Sequence, residues 1–119
     1  LSSKKFSLNE VGSETLPSKA RKSFNDLLIE SFLESMEFGE VVLYFLELRS
    51  SIKREEIAER PHKFARELED LFGDGAKVIL ERTVKTLYEK LGLSYAKKRG
   101  YEFSDYVGEA YQEYLRCKH

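Results

Sequence analysis

The residues that carry most enzyme and metal chemistry are scarce in this chain of 119. There are two histidines, His62 and His119, and one cysteine, Cys117. A structural zinc site needs four such ligands at short spacings, and neither HExxH nor CxxC occurs, so no metal and no cofactor is expected. Glu30, Glu34 and Glu37 lie three or four apart and could gather on one helical face. The Glu-x-x-His partner of carboxylate metal bundles is missing, which makes them a solvated face. Ser50 and Ser51 have no histidine base in view, and no GxSxG elbow occurs. Gly73-Asp74-Gly75-Ala76-Lys77 superficially resembles a phosphate-cradling loop but lacks the GxxxxGK[ST] pattern. A glycine that closes one helix and another that opens the next account for it. Catalysis is left without parts, and the chain reads as a non-enzyme.

Binding is a better match to the residues present. Residues 77–99 carry seven basic and two acidic groups, whereas the whole chain has a net charge of −1. Arg82, Lys85, Lys97, Lys98 and Arg99, with Tyr88, Tyr95 and Tyr101 among them, could neutralise phosphates and stack bases. The sequence pI of about 6.2 is low for a nucleic-acid-binding domain. Residues 52–68 have a faint helix-turn-helix cadence, but the would-be reading helix presents Glu67 and Glu69, which repel phosphate. Nucleic-acid binding through residues 77–101 is therefore the second reading.

Six of the seven tyrosines fall between Tyr88 and Tyr114. Tyrosine joins a large apolar body to a polar tip and is enriched at interfaces. Tyr95, Tyr101, Tyr106, Tyr111 and Tyr114 are the candidate interaction surface.

The elements that would position these residues are helices. Phe24, Leu27, Leu28, Phe32 and Met36 recur at helical spacing, so a first helix is predicted from Ser18 or Ser23 to Met36, broken at Phe38-Gly39. A second, from Glu40 to Arg49, holds the longest apolar run, residues 41–46. Its apolar content wraps nearly all round, which predicts a central helix contacted on several sides. The run alone could be a buried strand, but no second strand-like run exists to pair with it. Pro61 opens a third helix, with Phe64, Leu68, Leu71 and Phe72 on one face and Gly73 as its cap. A fourth runs from Asp74 or Gly75 to Leu91 and ends at Gly92. A fifth is capped by Ser104 and carries Tyr106, Val107, Ala110, Tyr111, Tyr114 and Leu115 on a shared face. Gly108 within it costs about 1 kcal/mol against alanine.

This predicts an all-α, compact bundle of about five helices over residues 21–119, preceded by an arm or linker over residues 1–20. The apolar residues of the arm, Phe6, Leu8, Val11 and Leu16, would pack on the domain or on a second chain. A membrane span needs about 20 apolar residues, and Leu1 to Leu8 lacks the apolar stretch of a secretory signal. Cytoplasmic residence is the default expectation, and Cys117 reads as an ordinary thiol. A small-molecule pocket between the second and fourth helices is a third reading, and it needs an enclosed apolar cavity.

From about Phe24 to Val107 the chain resembles a small archaeal all-helical domain family, found alone or as the output domain of two-component proteins in ammonia-oxidising archaea. The stretches that carry the resemblance are Ile52-Lys53-Arg54-Glu55-Glu56-Ile57 and Phe72-Gly73-Asp74-Gly75-Ala76-Lys77. Lys85-Thr86-Leu87-Tyr88-Glu89-Lys90-Leu91-Gly92-Leu93 and Phe103-Ser104-Asp105-Tyr106-Val107 complete them. The resemblance brings no catalytic residues. It implies an archaeal helical interaction or signalling-output module. The apolar and tyrosine-rich surface, read from the residues themselves, would take another protein or a second copy of the chain as a homodimer.

Overall fold

The computed structural model describes residues 11–117, with side chains from residue 19 onwards. The chain folds as five α-helices: α1 (Val11–Ser35), α2 (Gly39–Ser50), α3 (Pro61–Phe72), α4 (Gly75–Leu91) and α5 (Phe103–Cys117). A single 3-10 turn, Arg54–Glu56, lies between α2 and α3, and no strand occurs among the described residues. The apolar run 41–46 is helical, as expected from its lack of a partner strand.

Helix α1 begins at Val11, upstream of the start expected from Pro17. The backbone of residues 11–20 is therefore helical, while Phe6 and Leu8 lie outside the described residues. So does His119.

Helix α1 runs along α4, and this pair is the centre of the bundle. Small hydroxyl residues sit where the two helices meet. Ser31, Ser35 and Thr83 are all buried, and Ser35 Oγ lies 3.0 Å from Thr83 Oγ1. The hydroxyl of Ser31 donates to the carbonyl of Leu27 and that of Thr83 to Ile79, so burial leaves neither unsatisfied. Around this seam Phe24, Leu28 and Phe32 of α1 meet Phe64 and Leu68 of α3, Leu87 of α4 and Val107 of α5. Phe32 and Phe64 pack edge to face, with centroids 5.2 Å apart and planes at 82°, the geometry that the ring quadrupoles favour.

The ends of the helices follow local chemistry. Gly73, at φ 57°, closes α3 with its N–H on the carbonyl of Glu69. Gly92, at φ 73°, closes α4, and the N–H of Leu93 reaches back to the carbonyl of Tyr88 at 2.8 Å; such reach-back bonds satisfy carbonyls the helix would leave orphaned. The cap of α5 differs from expectation. Asp105 Oδ2 accepts the N–H of Glu102 at 2.8 Å, half of a capping box, and Ser104 lies inside the helix.

The largest departure concerns α2. It is not central: it buries only Val42, Leu43 and Leu46 among its apolar side chains and lies at the edge of the bundle, mainly against α1. Gly39 makes this approach close, since a Cβ there would fall 2.8 Å from Leu33 Cδ2 and 3.3 Å from Leu33 Cα. Residues 51–60 return across α1, held by Asn25. Its Nδ2 donates to the carbonyl of Arg54 and its Oδ1 accepts the N–H of Ala58, both at 2.7 Å. That clip lets Ile52 and Ile57 enter the core.

Candidate functional site

The clearest unsatisfied surface lies on α2 and the residue before it. Phe38, Val41, Tyr44, Phe45 and Leu48 are exposed to 66, 64, 67, 45 and 67%. Phe38, Val41, Phe45 and Leu48 recur at i, i+3, i+7 and i+10, the spacing of a coiled-coil seam. Val42, Leu43 and Leu46 hold the opposite side of the helix in the core, so the helix has two apolar faces and the bundle covers one. Side chains of this size leave about 100–150 Å² exposed each, so the stripe presents on the order of 500–600 Å². That is at the upper end for the largest apolar patch of a monomeric protein. Charges mark its ends. Glu37 and Glu40 stand at the start of α2, with Glu40 held by Arg54 at 2.8 Å. Arg49 stands at its end, 3.8 Å from both Glu67 and Asp70. Glu67 Oε1 is buried without a hydrogen bond, because 3.8 Å is too long for one.

The five tyrosines expected to form the interaction surface fall into two groups. Tyr95, Tyr101 and Tyr106 come together with Tyr88: Tyr101 and Tyr106 have centroids 5.0 Å apart, Tyr95 and Tyr106 5.4 Å. Tyr106 is buried, Tyr95 is half-buried and Tyr101 is 39% exposed. Tyr111 and Tyr114 instead pack on Phe24, at 5.1 and 5.6 Å. The first group fastens the connector 93–102 to the bundle. Tyr106 Oη accepts the N–H of Lys98 at 2.8 Å. The hydroxyl of Tyr88 donates to Glu109 Oε1, and Lys98 Nζ pairs with the other oxygen of the same carboxylate. These bonds hold the Glu109 carboxyl below the usual range, Lys98 contributing most and Tyr88 next. Burial, then the bond to Glu109, raises Tyr88 above the ordinary tyrosine value. Burial pushes Tyr95 up to about 12, with the neighbouring Tyr106 adding to it.

The basic residues proposed to contact nucleic acid do not all share one face. Lys85 pairs with Glu81 at 3.5 Å and lies over the ring of Tyr95. Lys98 lies over the ring of Tyr101 at 4.9 Å. Arg82 lines a shallow hollow with Glu34 and Glu37 on the side of α4 that faces α1. Arg99 is exposed on the connector, and Lys97 turns into a separate groove.

That groove, about 570 Å³, lies between α3, α4 and the connector. It is lined by the buried Ala65, Leu80, Val84 and Phe103, by Tyr95 and Tyr101 of the connector, by the exposed His62, Arg66, Lys77 and Lys97, and by Glu69, Glu81 and Glu102. The third reading of the sequence placed a small-molecule pocket between α2 and α4. Helix α2 sits against α1 at the edge of the bundle, so the available space opens on the other side of α4.

The remaining chemical candidates are placed as follows. Glu30 and Glu34 both reach Lys90, at 3.8 and 2.7 Å, and among the described residues no three His, Cys, Asp or Glu side chains cluster as a metal site. Cys117 is exposed. The Gly73–Lys77 stretch is a helix end followed by a helix start, and Lys77 faces the groove.

Sequence reasoning passed over the α2 stripe and the groove. The 3-4-3 spacing of Phe38, Val41, Phe45 and Leu48 was a legible signal beside Val42, Leu43 and Leu46. A helix of only 12 residues with two apolar faces in a chain this small exposes one of them more readily than it becomes a hub. The groove had no linear signal, since His62, Lys77 and Tyr101 come from three elements. No family model, curated protein or solved structure was found to match the chain.

Proposed function

We propose that the protein is a non-enzymatic helical interaction module acting in the cytoplasm as a homodimer joined through α2. The observation that carries the reading is the seam of Phe38, Val41, Phe45 and Leu48, exposed on a helix whose other face is already packed. A coiled-coil seam is satisfied by another helix with the same spacing, and a second copy supplies one.

An antiparallel arrangement about a two-fold axis suits these residues. It sets Phe38 opposite Leu48 and Val41 opposite Phe45, large side chain against smaller. It also brings Glu37 of one copy to Arg49 of the other, where parallel pairing would stack like on like. Two such stripes face to face remove roughly 1,100 Å² from water, near the lower bound for specific interfaces, which implies a reversible dimer. The resemblance to archaeal signalling-output domains is in keeping with a module that reports by associating. No helix among the described residues is long and apolar enough to cross a membrane.

The experiment is sedimentation across a concentration series for the wild-type chain and for Leu48→Glu. Concentration-dependent dimerisation abolished by the substitution supports the reading. A monomer throughout rejects it.

A further inference from the structure

The groove between α3, α4 and the connector has features that the interaction reading leaves unused. Its volume of about 570 Å³ falls within the roughly 300–1,000 Å³ of small-molecule sites. Arg66 and Lys77 come from adjacent helices and Lys97 from the connector, and all three line this one space. Among the described residues none of the three has a carboxylate within ion-pair distance, whereas most of the other cations of α4 and the connector do. Converging cations without protein partners are suited to an external anion, and an arginine fork with two lysines is suited to a phosphate.

The opposite wall supplies a different kind of contact. Tyr101 is 39% exposed; Lys98 lies over one side of its ring, and Tyr106 packs against it near edge-on and continues into Tyr95, so a base would use the part of the ring that these leave open. An exposed ring backed by other rings is a platform on which a flat base can stack. The wall is built before any ligand arrives. Leu93 is bonded to Tyr88, Lys98 to Tyr106, and Gly100 turns the connector at φ 81°. Glu69, Glu81 and Glu102 also line the groove; Glu81 is paired with Lys85, and the other two carboxylates can accept from an exocyclic amine.

We propose that this groove binds a mononucleotide, the phosphate held by Arg66, Lys77 and Lys97 and the base lying against Tyr101. A free phosphate would use only half of these groups, and a neutral nucleoside the other half.

The test is a heteronuclear NMR titration of the full chain with adenosine 5′-monophosphate, with adenosine and inorganic phosphate as separate arms. The nucleotide should give saturable shifts confined to residues 62–69 of α3, the start of α4 and residues 93–104, with each fragment at least about tenfold weaker. Arg66→Ala and Lys77→Ala should each weaken the nucleotide about tenfold. Both side chains are exposed, so a wild-type-like spectrum of the free variants shows that the fold is intact. The dimer-breaking Leu48→Glu chain should titrate like the wild type, which separates this site from the α2 reading. No saturable shift up to about 10 mM nucleotide overturns the proposal. So does equal binding of phosphate alone, or affinity unchanged in both variants.

Discussion

The Tyr88 hydroxyl donates a 2.6 Å hydrogen bond to Glu109 Oε1 and lies 3.2 Å from the carbonyl of Tyr106, so one buried phenol ties α4 to α5 at two points. Lys98 closes on the other oxygen of Glu109, which brings the connector into the same junction. One shared carboxylate therefore joins α4, α5 and the connector.

Stability at acid pH should register that carboxylate. Lys98 and Tyr88 lower the Glu109 pKa in the folded chain, so its contribution is complete above the ordinary carboxylate range and is lost as pH falls through the lowered value. Chemical denaturation of the wild type and Glu109→Gln at several pH values measures it. The gap between them should be constant above about pH 5 and shrink on acidification. On the alkaline side Lys98 and Tyr88 are both raised, so their contribution is intact below about pH 10 and declines beyond. A gap unchanged down to pH 3 would show that the junction does not depend on the charge of Glu109.

Asn25 is the most costly buried polar residue to remove. It is 4% exposed and satisfies one carbonyl and one N–H of the segment between α2 and α3. Asn25→Ala leaves both backbone groups unpaired and should cost about 2–3 kcal/mol in equilibrium unfolding. Amide exchange should then quicken first around Ala58, where the lost acceptor had been. A loss below about 0.5 kcal/mol would mean that water replaces the side chain without penalty.

The backbone offers a contrast in sign. Gly39→Ala drives a methyl group against Leu33, backbone included, and should destabilise by about 1–2 kcal/mol. Gly108 lies mid-helix with nothing within 4 Å of the added carbon, so Gly108→Ala should stabilise by about 0.5–1 kcal/mol. Ser51 ends α2 at φ 60°, and Ser51→Gly should also gain up to about 1 kcal/mol. Thermal melts of the three variants check the order.

Much of this architecture is legible in residue spacing. Pro61, Gly73 and Gly92 punctuate α3 and α4 where local conformation requires them, and Phe24, Leu28 and Phe32 mark the buried side of α1. What spacing does not reveal is which of two apolar faces a helix will bury. For α2, that depends on Gly39 admitting Leu33 and on Asn25 drawing the next segment across α1, contacts between residues far apart in the chain. The late tyrosines mislead for a related reason. Their shared helical phase is real, but Tyr106 turns inwards to hold Lys98 while Tyr111 and Tyr114 settle on Phe24, so periodicity groups residues that packing separates. The groove draws on three elements and has no linear signature.

The neighbours Phe45 and Leu46 put the central question most simply, since one is 45% exposed and the other 1%. Sedimentation equilibrium of the wild-type chain, from low micromolar to about 0.5 mM, is the direct measurement, with Leu48→Glu and Tyr44→Glu run beside it. A reversible dimer that forms within this concentration range is expected. Both variants should be monomeric at every concentration and melt like the wild type at concentrations where the wild type is itself monomeric, because both side chains are 67% exposed in the monomer. A wild-type chain that stays monomeric at 0.5 mM, or a Leu48→Glu chain that still dimerises, would contradict the assignment of α2 as the interface.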